Sequence, residues 1–177
     1  MIVAPLALPD VRRLSLVRRA DDRGSFTETW SPRALAAAGI STAFVQDNES
    51  ISARGVLRGM HLQLPTGQGK LVRVVVGEVY DVAVDLRPGS ATFGAWVGVA
   101  LSEARAEALW IPAGFAHGFL TLSERSVIAY KVDAAYVPAE ERVLAWNDAT
   151  VGIAWPFDGR PRLSERDAAG EALAAFG

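Results

Sequence analysis

The chain has 177 residues, 50% hydrophobic and 21% charged, with a net charge of −2. That length and balance suit one domain around one core. The near-neutral charge excludes the broad basic footprint of a nucleic-acid binder, and the lack of cysteine excludes disulfides, thiolate nucleophiles and cysteine-ligated zinc.

The first ten residues carry no basic lead and are cut by Pro5 and Pro9, so they do not read as a signal peptide. No apolar run approaches the ~18 residues that span a bilayer. The expectation is a cytoplasmic, soluble protein with no membrane or nucleic-acid partner.

Short strands then dominate. Residues 11–17 and 25–30 alternate apolar and polar positions. Ser31 and Pro32 open a helix as N-cap and first helical residue, and Gly39 closes it. Residues 44–50 and 56–64 return to strand. Residues 71–76 and 79–86 are β-branched runs around Gly77-Glu78 and predict a hairpin. Arg87 to Ser90 form a turn cluster, and residues 93–101, 108–111, 118–122 and 126–132 continue the strands. Ser164 with Asp167 has capping-box spacing and predicts a second helix running to about Phe176. Turn signals every ~8–12 residues with no internal repeat predict an all-β fold, most simply a double-sheet jelly roll with a few short helices.

Four side chains suit proton transfer beside a carbonyl. The only histidines, His61 and His117, each sit among glycines on separate predicted strands. His61 and Gln63 share one strand face, whereas Arg58 has the opposite parity unless Gly59 hosts a bulge. Lys70 is one of only two lysines among 18 basic residues. Tyr130 lies in an apolar run, where a buried aromatic with its hydroxyl at a rim is also expected. An imidazole titrates near ~6.5, so His can take a proton at working pH. A carboxylate behind it would orient the ring, an ammonium would stabilise the enolate, and a phenol would return the proton from the other face. Asp167 fits the carboxylate role and the helix cap equally well by spacing.

These residues lie in segments that together resemble the dTDP-4-dehydrorhamnose 3,5-epimerase family. The resemblance runs through Asp22-Arg23-Gly24-Ser25-Phe26-Thr27-Glu28, Phe44 to Ser50, Gly55 to Gln63 and Gln68 to Val72. It continues through Asp81 to Arg87, Ile111 to Phe119, Tyr130-Lys131, Tyr136-Val137-Pro138, Trp146-Asn147-Asp148 and Leu163 to Asp167. It implies a cupin-type jelly-roll homodimer that works without metal or cofactor on a dTDP-sugar. It implies His61 as base with Asp167 behind it, Tyr130 as acid and Lys70 beside the enolate oxygen. His117 would line the sugar site. Arg23, Phe26, Glu28, Gln46, Asn48, Arg58, Glu141 and Arg166 would bind substrate, Tyr136 would stack on thymine, and N-terminal residues of one subunit would complete the partner's site. Glu49, Met60, Arg166 and Ala149 depart from common family residues without removing a catalytic one.

Two other readings compete. The Pro-x-Gly-x-x-His stretch ending at His117 also suits a metal-dependent cupin, but His61-x-Gln63 offers few imidazoles to a metal. A non-catalytic sugar-nucleotide binder is the other, against which the full acid, base and lysine set argues.

Overall fold

The structure is a computed structural model and describes residues 2–177. Thirteen strands form in chain order: β1 Ile2–Pro5, β2 Arg12–Ser15, β3 Arg18–Asp21, β4 Gly24–Thr27, β5 Gln46–Ala53, β6 Leu57–Gln63, β7 Lys70–Val76, β8 Glu78–Asp85, β9 Trp96–Ser102, β10 Glu107–Ile111, β11 Phe115–Thr121, β12 Arg125–Val132 and β13 Glu141–Val143. Two short helices, α1 Pro32–Ala37 and α2 Glu165–Ala168, accompany them. Among the described residues, six strands pair in the order β1-β2-β10-β7-β12-β5 and five in the order β13-β6-β11-β8-β9, while β3 and β4 pair only with each other. All these pairings are antiparallel, the arrangement of a jelly roll. No helix among the described residues is long and apolar enough to cross a membrane.

The two sheets face each other across one core. Val72, Val74, Leu109, Ile111 and Ile128 of the larger sheet pack with Val79, Ala83, Leu101, Phe115 and Phe119 of the smaller. Period-two alternation sends Tyr80, Val82 and Val84 to the opposite face, where Leu144, Val151, Leu173 and Phe176 cover them. The outer side of the larger sheet is closed by Leu35 of α1, with Ile40, over Leu14, Leu71 and Trp110. Ser31 caps α1 as expected, its hydroxyl accepting from Ala34 N at 3.3 Å.

Two expectations fail. Strands β7 and β8 form no hairpin, because β7 pairs with β10 and β12 and β8 with β11 and β9. Gly77 instead turns a corner between the sheets at φ +82°, where a Cβ would meet Arg125 O at 2.2 Å. Corners of this kind let consecutive strands serve different sheets. The second helix ends at Ala168 and does not reach Phe176. Gly170 presses on Ala145, and Ala145 N donates to Glu171 O at 2.8 Å, so the tail pairs with the chain after β13. A short 3-10 turn, Leu173–Ala175, then tucks Leu173 and Phe176 onto the sheet.

The β6–β11 ladder carries the irregularity that shapes the site. His61 pairs with His117 but Arg58 pairs with Phe119, so three steps on β6 oppose two on β11. The bulge falls at Gly59 and gives Arg58 and His61 the same facing despite their odd spacing. Gly59 has φ +124°, and a Cβ there would lie 2.5 Å from Gly118 Cα. Gly59→Ala is therefore expected to lose about 2–4 kcal/mol of stability through strain and overpacking, measured by urea unfolding. An unchanged midpoint would show that the bulge tolerates a side chain.

Candidate active site

At one end of the sandwich the apolar core gives way to a polar cavity of about 300 Å³. Each wall contributes by strand parity. Lys70 and Tyr130 share the inward face of the larger sheet, offset by one diagonal step in the β7–β12 register, and Asn48 stands opposite Tyr130 on β5. His61 and His117 face them from adjacent positions on the smaller sheet. Imidazole and phenol thus border one cavity from opposite walls.

His61 Nε2 lies 2.6 Å from Asp167 Oδ1, and Asp167 is 4% exposed. Burial pushes the Asp167 carboxyl up, but the bonds from His61 and Ser164 and the nearby Arg166 charge outweigh it and leave the group below its ordinary range. An ionised carboxylate only accepts, so in the neutral ring Nε2 would carry the proton and Nδ1 the lone pair, the arrangement a general base needs. Of the capping box, the Ser164 half forms. The Asp167 backbone N–H donates to the Ser164 hydroxyl at 3.1 Å as a helix cap, while its side chain serves His61.

Lys70 is 6% exposed and donates to the His61 carbonyl at 2.9 Å. Burial pushes its ammonium down to about 8, against the opposing pull of Glu141 and Asp81. The Tyr130 hydroxyl is pushed up by burial, with Arg58 pulling it down and Glu141 adding to the rise. It stays a protonated donor at neutral pH.

The rim is built from the predicted binding residues. Arg58 donates to the Ser52 hydroxyl at 2.9 Å and to Ile51 O at 3.1 Å. Gln46 donates to Asn48 Oδ1 at 2.7 Å. Tyr136 donates to Glu141 Oε2 at 2.8 Å, and Arg166 pairs with the same carboxylate. Gln46, Asn48, Arg58, His117, Tyr136, Glu141 and Arg166 all border the cavity. Arg23, Phe26 and Glu28 do not. Arg23 is paired with Asp21 on the β3–β4 hairpin, and Phe26 is 70% exposed there. Glu49 is exposed on the face of β5 opposite Asn48 and so points away from this cavity.

The structure adds Asp81, which the sequence reading left without a role. It is fully buried, and both its oxygens accept from His117 Nε2, at 2.9 and 3.0 Å. Its signal was a carboxylate at an inward position of a strand, one it shares with Asp85, whose partners are Arg87, Ser90 and Thr92. Ser50, Gln68 and Phe119 also border the cavity. His61 and His117 each direct Nε2 at a carboxylate and Gln63 bonds a loop, so the three do not converge. Among the described residues no group of three or more His, Cys, Asp or Glu is gathered closely enough to hold a metal ion.

A jelly roll with a carboxylate-backed imidazole and a phenol on facing walls, and a buried ammonium between, is the framework of an acid–base sugar isomerase. The chain belongs to the dTDP-4-dehydrorhamnose 3,5-epimerase family, whose profile matches residues 5–175. It is 52% identical over 170 residues to the dTDP-4-dehydrorhamnose 3,5-epimerase of Pseudomonas aeruginosa, covering 96% of this chain and 94% of that one. It is 50% identical over 175 residues to the enzyme of that name from Salmonella typhimurium, covering 98% and 96%. The crystal structure of dTDP-6-deoxy-D-glucose-3,5-epimerase from Legionella pneumophila, in complex with dTDP-4-keto-L-rhamnose, superposes with a TM-score of 0.96 at 42% identity, covering 99% and 94%.

In the enolate-stabilising role proposed for it below, the Lys70 ammonium serves only while charged, so kcat/KM is expected to fall as pH rises through about 8. Lys70→Arg, which cannot lose its charge, is expected to be slower at neutral pH and to lack that alkaline limb. A limb that persists unchanged in the arginine variant would assign it to another group.

Proposed function

We propose that this enzyme inverts C3 and C5 of dTDP-4-dehydro-6-deoxy-D-glucose and yields dTDP-4-dehydro-L-rhamnose. The 2.6 Å contact between His61 and Asp167, opening on a cavity shared with Tyr130, carries this reading. The 4-keto group makes the hydrogens on C3 and C5 acidic. His61 Nδ1 removes one, and the electron pair moves onto the ketone oxygen. Lys70 stabilises that enolate, an effect worth about 3–4 kcal/mol for one well-placed donor. Tyr130 then protonates the same carbon from the opposite face, which inverts it. Solvent resets both groups before the second carbon reacts.

Arg58 and Arg166 suit the diphosphate, because a guanidinium offers permanent charge and forked donors. The Tyr136 ring suits thymine. The cytoplasm is the location we propose for the enzyme. Proton NMR of the keto-sugar in deuterium oxide tests the reaction: deuterium is expected at both C3 and C5, and His61→Asn is expected to abolish both. Exchange at one carbon alone would make the enzyme a single-site epimerase.

The working unit in this reading is a homodimer. Three features support it: the β3–β4 hairpin pairs with no other strand, β5 is a sheet edge, and Phe26 is 70% exposed. Arg23, Phe26 and Glu28 would then complete the partner's cavity. His61→Asn and Arg23→Ala, each inactive alone, are expected to recover about a quarter of wild-type activity when unfolded and refolded together. That is the share if half the dimers are mixed and each holds one intact site. No recovery would place Arg23 in its own subunit's site, and an active Arg23→Ala variant would place it outside both.

A further inference from the structure

We infer that Gln63 and Gln68 are positioning residues for nucleobase recognition, holding the loop of residues 133–137 so that the Tyr136 ring stands ready to stack. The inference rests on the role given to Tyr136 above. Residues 135–137 are exposed, Tyr136 by 44% and Val137 by 37%, so apolar packing does little to fix them. Glutamines do so instead. Gln68 donates to Ala134 O at 2.8 Å and Gln63 donates to Ala135 O at 3.2 Å. Tyr136 N donates to Gln46 Oε1 at 3.2 Å, and Val137 N donates to Gln63 Oε1 at 2.7 Å. Four consecutive residues each give one backbone group to a glutamine side chain. Asp133 anchors the start of the loop by accepting from Gly69 N at 2.6 Å.

Gln63 is the informative member. It is 3% exposed and does not border the cavity, so it reaches a ligand only through the loop. Its amide uses a donor and an acceptor on either side of Tyr136, which fixes that peptide in place as well as in direction. A ring held before binding loses less entropy on stacking, so affinity rises without any effect on the proton-transfer groups.

The test is a double-mutant cycle read by dTDP titration and steady-state kinetics. In folded Gln63→Met, the Kd for dTDP and the KM for the keto-sugar are expected to rise about tenfold, with kcat within about twofold of wild type. In a Tyr136→Ala background the same substitution is expected to add nothing, because its route of action is gone. Gln68→Met in the same two backgrounds, read by dTDP affinity, carries the cycle if Gln63→Met fails to fold. Unchanged dTDP affinity in the folded glutamine variants, or an equal loss with and without Tyr136, would overturn the inference. Tyr136→Ala with wild-type dTDP affinity would overturn the stacking role itself, a separate result.

Discussion

The carboxylate of Asp167, buried, lies 2.6 Å from His61 Nε2, and the proposed reaction depends on this contact, which directs Nε2 at that carboxylate and leaves Nδ1 for the substrate. A carboxylate buried without such a partner would be protonated or would unfold its surroundings. The short turn of α2 therefore has two duties. Its Ser164 cap fixes the backbone of Asp167, and the fixed backbone aims the side chain at β6.

The rest of the site follows from where two antiparallel sheets place alternate residues. Inward positions of β7 and β12 bring Lys70 and Tyr130 to one wall, and inward positions of β6 and β11 bring the two histidines to the other. The bulge at Gly59 adds Arg58 to the histidine wall, where regular pleating would have turned it away. Below the polar mouth, Val72, Ile128 and Phe119 belong to the dry core. The low-dielectric surroundings explain why Lys70 loses basicity, and in the proposed reaction they would strengthen its charge on an enolate.

Strand content was legible wherever β-branched residues cluster, as in residues 71–76 and 79–86. Partner choice was not, since periodicity reports facing and says nothing about which sheet receives a strand. The β7–β8 corner therefore read as a hairpin. Alanine propensity in the tail suggested a helix to Phe176, and tertiary pairing of Glu171 with the chain after β13 overrode it. Strand β13 holds three residues, two of them charged, and leaves no periodic signal. His61, Lys70, Tyr130 and Asp167 were legible as residue types suited to proton transfer. Their convergence, and the substrate-binding set, rested on the family resemblance. Asp81 was open to detection as a carboxylate on an inward strand position, a signal it shares with Asp85. Arg23, Phe26 and Glu28 lie outside this chain's cavity, which strand patterning alone did not reveal.

The proposed reaction turns on geometry: base and acid must face each other across the substrate's ketone, with the ammonium beside its oxygen. A crystal structure of the protein with an unreactive analogue of the dTDP-keto-sugar measures this directly. The proposed reaction requires His61 Nδ1 and the Tyr130 hydroxyl on opposite faces of the sugar ring and Lys70 Nζ within hydrogen-bond reach of the C4 oxygen. A sugar bound with both groups on one face, or with Lys70 turned away from that oxygen, would contradict it.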